Sequence, residues 1–346
     1  MGVQHKVTKK QPLLDDNGNI AEPGYATSQI WHYDRKNIKA PKWRIKEWDY
    51  YYIGTKDYGL CLTISDCGYV GTVSASLLDF KNKTQINKTG LKLFPMGRLD
   101  LPNTPDIGDI YGKCSTADFA FENDGKEKHL SGVFNKFYDN LDPLVFDITL
   151  YDIPKDHMVI ATPFNKDKHF YYNQKTNLLK AKGYFTIKGE EYKFEDNNGL
   201  ATLDWGRGVW TYDNTWLWSS CNGILDDGTL VGWNLGYGFG DTSKASENMV
   251  FVDGKATKLD DVTFNIPQKD DKDDFMSPWT FTSTDKLINL SFTPIIDRFD
   301  PLDLKVVMMI PHQVFGYFNG TIKISDDKTI EIKDFLGFAE KVHNKW

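Results

Sequence analysis

The chain has 346 residues (39.7 kDa), enough for two domains or one large all-β unit, and its 40 % apolar and 26 % charged residues exclude wholesale disorder. Forty-one basic against 48 acidic residues leave a net charge of -7, which argues against nucleic acid as a partner, because phosphate affinity needs a concentrated basic surface. Ten Trp, seventeen Tyr and twenty-two Phe are more rings than a core of this size usually needs, so some are expected to line a cavity or groove.

Short β-prone runs bounded by Gly and Asp dominate the chain. They fall at residues 50–53, 59–64, 69–73, 144–151, 169–172, 183–187, 229–238, 249–252, 288–294, 304–310 and 316–324. Turn pairs such as Asp227-Gly228, Asp253-Gly254 and Asn319-Gly320 separate several of them. Short strands at this spacing are the pattern of an all-β sandwich or barrel. No helical periodicity is sustained, and only stretches such as 335–341 are expected to form a turn or two of helix. Two acidic, Lys-rich stretches, 118–128 and 268–274, read as solvated loops. A composition break at 154–167 marks the expected boundary, giving domains at 1–160 and 161–346. Each half holds a Trp/Tyr-rich segment, 43–52 and 205–218, which suggests a duplicated β unit.

Charge without a following apolar stretch in residues 1–10 predicts no secretory signal, and Lys6 stands where myristoylation after Gly2 needs Ser or Thr. The longest apolar runs, such as 306–311, are far too short for a transmembrane helix. Cys61, Cys67, Cys114 and Cys221 are scattered without a CxxC pair and read as reduced thiols, which points to the cytoplasm.

The densest chemistry lies in Leu203-Asp204-Trp205-Gly206-Arg207-Gly208-Val209-Trp210-Thr211-Tyr212, continuing through Thr215-Trp216-Leu217-Trp218-Ser219-Ser220. Alternation along a strand from Thr215 puts Trp216 and Trp218 on one face as a platform for a ligand. Asp204 beside such rings would be partly desolvated, which raises a carboxyl pKa and keeps an acid protonated near neutral pH; Arg207 would oppose this. The blander alternative is a turn and core strand with Asp204 and Arg207 as a structural ion pair. The next strand adds Asn234 and Tyr237, and Glu247 precedes the one after. The dispersed histidines form no metal-ligand spacing, so neither a metal nor a cofactor is expected, and no GxSxG elbow is present.

Several segments together resemble the family of domain of unknown function DUF2804. They are Gly24-Tyr25-Ala26, Lys42-Trp43-Arg44-Ile45-Lys46-Glu47-Trp48, Phe170-Tyr171-Tyr172-Asn173-Gln174-Lys175-Thr176-Asn177, and Asp204-Trp205-Gly206-Arg207-Gly208 with Thr215-Trp216-Leu217-Trp218-Ser219-Ser220. Glu247-Asn248-Met249-Val250-Phe251-Val252-Asp253-Gly254-Lys255, Phe315-Gly316-Tyr317-Phe318-Asn319-Gly320 and Gly337-Phe338-Ala339-Glu340-Lys341-Val342-His343-Asn344-Lys345-Trp346 complete the set. More remotely, the family looks like the two-lipocalin architecture of carotenoid hydratases and some fungal pericyclases. That likeness implies two tandem lipocalin-like antiparallel barrels holding an apolar small molecule between or inside them. This chain has Val209-Trp210-Thr211-Tyr212 where the family motif often carries His and Arg, which implies an altered pocket.

The resulting expectation is a cofactor-independent enzyme that hydrates, dehydrates or isomerises an apolar or amphipathic small molecule. Asp204 is expected to donate the proton, with Arg207 and Tyr212 as further catalytic groups. Trp205, Trp210, Trp216, Trp218, Asn234, Tyr237 and Glu247 are expected to hold the substrate. A non-catalytic carrier of a lipid-like ligand, or a carbohydrate-processing enzyme, would use the same residue types.

Overall fold

Apolar residues at every second position make the strands. In Asp142–Tyr151, for example, Leu144, Phe146, Ile148 and Leu150 are all buried while their neighbours are more exposed. The computed structural model describes residues 4–346 apart from 304 and 306, and strand accounts for 62 % of the chain against 2 % helix, so the protein is all-β.

The first sheet runs in the order Thr84–Leu93, Val70–Asp79, Tyr58–Asp66, Ile45–Gly54, Leu200–Val209, Phe170–Ile187, Asp142–Tyr151, Lys128–Tyr138, Ala117–Asn123, Ile110–Lys113, with every neighbouring pair antiparallel. It curls into a nearly closed barrel filled by its own side chains, among them Leu62, Phe119, Phe146, Leu203 and Trp205. The second sheet is a curled half-barrel in the order Lys255–Lys258, Met249–Val252, Leu230–Tyr237, Asp213–Ile224, Lys328–Lys345, Met308–Ser325, Ile288–Phe299, Trp279–Ser283, Val262–Asn265. Its own core is built on Trp233, Trp279, Phe281, Phe292 and Phe318. The opposite face of this half-barrel packs on the outside of the first barrel. Tyr50, Tyr52 and Phe80 meet Trp218, Phe315 and Phe338 there, forming an apolar seam between two lipocalin-like units.

The expected strands 169–172 and 183–187 are the two ends of one strand, Phe170–Ile187. It stays continuous because a bulge between Thr176 and Leu179, with Leu178 at φ 63°, absorbs a change of side. Before the bulge Tyr172 faces the barrel core, and after it Leu179 and Ala181 do. The bulge pushes Asn177 out into the seam, where its amide donates to Ser220 Oγ at 2.8 Å and lies 3.1 Å from the Trp233 carbonyl. The Leu178 N–H donates to Asn222 Oδ1 at 2.8 Å.

Other expectations are corrected. Residues 335–341 are not helical but lie within Lys328–Lys345, whose long ladder with Met308–Ser325 overrides weak local propensity. Stretch 118–128 is mostly strand, since Phe119 and Phe121 plug the first barrel while Asp118 and the turn at Asp124 face solvent. Stretch 268–274 is a hairpin, Gln268–Lys269 with Lys272–Asp273, turning on Asp270 and Asp271 at φ 51° and 58°. The expected strand 304–310 falls partly outside the described residues, and Met308–Ser325 takes residues 308–310. The expected division at 160/161 lies inside Met158–Pro163, which pairs with Phe170–Ile187 in the first sheet. The chain changes sheet at 210–212, because the partners of the 170–187 strand must come from the barrel it helps to close. The four cysteines are free thiols, and no helix among the described residues is long and apolar enough to cross a membrane.

Gly206 stands opposite Trp48 in the ladder, and a Cβ added there would lie 1.9 Å from the indole. Gly206→Ala is expected to destabilise the protein by about 1–3 kcal/mol, as overpacking does, read as a lower urea midpoint with the slope unchanged.

Candidate functional site

Two adjacent strands of the first barrel supply the site through their pleat. On Leu200–Val209, Leu203, Trp205 and Val209 point into the barrel, and Asp204 on the other parity points into the seam. On Phe170–Ile187 the outward set before the bulge is Tyr171, Asn173 and Lys175. The ladder pairs Lys175 directly with Asp204, so their side chains meet across the strands. Lys175 Nζ lies 2.8 Å from Asp204 Oδ2, and Asn173 Nδ2 donates to Oδ1 at 2.6 Å. Both carboxylate oxygens therefore accept.

The half-barrel presents a matching polar row. Lys175 Nζ sits 3.8 Å from the centroid of Trp218, whose Nε1 donates to Asn234 Oδ1 at 2.7 Å. Asn234 Nδ2 in turn donates to the Glu247 carbonyl at 3.0 Å. Trp216 Nε1 donates to Glu340 Oε1 at 3.0 Å, and Gln313 Nε2 to Glu340 Oε2 at 3.0 Å. Arg298 closes the row, donating to Gln313 Oε1 at 2.7 Å and to Ser76 Oγ at 2.9 Å.

Three carboxyl groups thus share a dry seam with two cations, and each of Asp204, Glu247 and Glu340 is at most 8 % exposed. Burial pushes the Glu340 carboxyl up to about 7, with the Asp204 charge adding to the rise and the Trp216 N–H and Lys175 opposing it. Burial also raises Glu247, against the pull of Lys175. A carboxyl poised near neutrality can exchange a proton in either direction, and the indoles beside it can face a positive charge.

Of the residues expected from sequence, Asp204, Trp216, Trp218, Asn234 and Glu247 come together here. Trp210 borders them, with its ring 6.2 Å from Trp216 and 4.9 Å from Phe239. The others lie elsewhere. Arg207, three positions from Asp204 on an alternating strand, is on the opposite face and fully buried in the barrel. Its guanidinium donates to Asp49 Oδ1 at 3.0 Å and lies over Trp205, so no Asp204–Arg207 pair forms. Trp205 likewise points inward, 5.4 Å from Tyr172. Tyr212 is 46 % exposed on the link between the sheets. Tyr237 has the wrong parity and turns to the half-barrel core, where its hydroxyl accepts from the Phe264 N–H at 3.2 Å. The face of Trp218 is covered by the Lys175 ammonium rather than left open as a platform.

Sequence reasoning missed Asn173, Lys175, Arg298, Gln313 and Glu340. A signal was present for three of these residues. Tyr171, Asn173 and Lys175 share one parity, and Glu340 follows the apolar run Gly337-Phe338-Ala339, where a carboxylate has no reason to stand unless it is partnered.

The fold recurs in solved structures. An AttH-like protein from Nitrosomonas europaea is 15 % identical, covering 89 % of this chain and 95 % of its own, with a TM-score of 0.52. Kievitone hydratase from Nectria haematococca is 11 % identical, covering 97 % of this chain and 98 % of its own, with a TM-score of 0.50. No curated protein matches the sequence. The family described as domain of unknown function DUF2804 matches residues 4–346, nearly the whole chain, and the protein belongs to that family.

Proposed function

We propose that the protein adds water to, or removes it from, an apolar or amphipathic small molecule in the seam between its two lipocalin-like units, without a cofactor. The observation that carries this reading is the Glu340 carboxyl, raised to about 7 beside Asp204 and the indoles of Trp216 and Trp218. The likeness of fold to kievitone hydratase supports it.

Asp204 is held by the Lys175 ammonium, whereas the donors on Glu340 are the neutral Trp216 and Gln313 N–H groups, so the proton donor is better assigned to Glu340 than to Asp204. Glu340 gives its proton to one carbon of a double bond, and the electron pair of the π bond forms the new C–H bond. The cation left on the other carbon faces the Trp216 indole, whose quadrupole stabilises it by about 0.5–2 kcal/mol. A water oxygen then bonds to that carbon while its proton passes to Asp204. Dehydration runs the same steps backwards.

The test is to incubate the protein with polyenes, terpenoid alkenes and alkenyl-substituted phenols in D2O and to follow mass gain. One compound is expected to gain a single water, with deuterium on carbon, and Glu340→Gln to slow this about 100-fold or more, as removal of a general acid does. An unchanged rate in that variant, or no conversion by the wild type, would defeat the proposal. Tight binding without conversion would favour a carrier.

A further inference from the structure

The seam is also open away from the Asp204 group, at the end where the turn after Ile45–Gly54 meets the half-barrel. A cleft of about 370 Å³ opens there, and neither Asp204, Lys175 nor Glu340 lines it. We propose that this cleft is a second small-molecule site, which takes a neutral ligand of one or two fused flat rings with a hydroxyl or carbonyl on its edge. The inference is independent of the chemistry assigned to Glu340.

The volume lies in the range of ligand pockets, about 300–1,000 Å³. Tyr52, Tyr317 and Phe335 furnish apolar walls suited to a flat ring. The rim carries Lys56 and Lys333 against Asp57 and Asp334, two charges of each sign, which favours a neutral guest over an ion.

The floor is the decisive feature. Tyr52 is 95 % buried, being 5 % exposed, with its ring held 5.3 Å from Phe315 and 5.8 Å from Phe338. Its hydroxyl comes out beside Gly54, where an added Cβ would stand 2.3 Å from it. Among the described residues no protein group hydrogen-bonds to that hydroxyl, and Tyr52 lines the cleft, so the hydroxyl is available to a guest. Burial holds the phenol well above its usual range, so it remains a donor. A ring ligand bearing an oxygen on its edge would fill the walls and complete the bond.

2-Naphthol is the probe, and its binding is followed by its fluorescence up to its solubility limit. Saturable binding is expected for the wild type. Tyr52→Phe, which keeps the ring and removes only the hydroxyl, is expected to weaken it about two- to tenfold, the range of one hydrogen bond. Ile224→Trp, which fills the cleft from an exposed rim position, is expected to abolish it. Absence of saturable binding by the wild type, or wild-type affinity in both variants, would overturn the proposal.

Discussion

Arg207→Met is expected to remove about 3–5 kcal/mol of stability, the cost of leaving a buried carboxylate without its cation. Arg207 has no exposed surface, and its Nη1 donates to the Trp48 carbonyl at 2.8 Å and to the Gly206 carbonyl at 2.9 Å. Its Nη2 donates to Asp49 Oδ1 at 3.0 Å and to the Pro102 carbonyl at 2.9 Å. Burial raises Asp49, and Arg207 is the chief influence holding it down, so the variant strands that charge inside the barrel. A domain has about 5–15 kcal/mol in total, so the urea midpoint should fall steeply. Asp49→Asn in the same background should recover part of the loss, because it removes the stranded charge. An Arg207 that served a substrate instead would lose turnover and keep its midpoint.

Glu340→Gln is expected to change how stability depends on pH by on the order of 3 kcal/mol. A carboxyl raised from 4.5 to about 7 binds a proton in the folded protein that the unfolded chain has already released. Its contribution is full below pH 4.5 and is lost as pH rises to about 7, so stability falls with pH across that window. His157 works the other way. Burial pushes its imidazole down to about 4, so its contribution is lost as pH falls from 6.5 towards 4. The two slopes cancel in the wild-type curve between about 4.5 and 6.5, and only the difference between wild type and variant isolates Glu340. Urea unfolding from pH 4.5 to 8 should show the wild type losing ground to the variant until about pH 7 and holding level above it. A flat difference would mean that Glu340 is ionised throughout, and it would remove the proton donor from the proposed chemistry.

The all-β class was legible, because alternation and turn residues are local signals, whereas the two lipocalin-like units were implied by the family resemblance. Strand length was not. Phe170–Ile187 looked like two strands because the bulge at Asn177 and Leu178 shifts the alternation by one residue, and periodicity reads such a shift as a break. The candidate site was half legible. Trp216 and Trp218 were found through alternation along one strand, and Asn234 as a polar residue on the next. Arg207 was misplaced because nearness along the chain was taken for nearness in space, although an odd spacing on a strand separates two side chains by the thickness of a sheet. Lys175 and Glu340 reach Asp204 only through ladder register and sheet packing, which no short window of sequence carries.

The protrusion at Asn177 and Leu178 has a consequence for how the protein can diversify. It works as a peg from one unit into the other, seated on Ser220 and Asn222, and together with the Arg298–Ser76 bond it indexes the two halves to each other. Side chains along the remainder of the contact can be exchanged without letting the halves slide, provided the peg keeps its length. Dropping one residue there would turn Asn173 and Lys175 inwards and Gln174 outwards, exchanging a charged lining for a blank one in a single step.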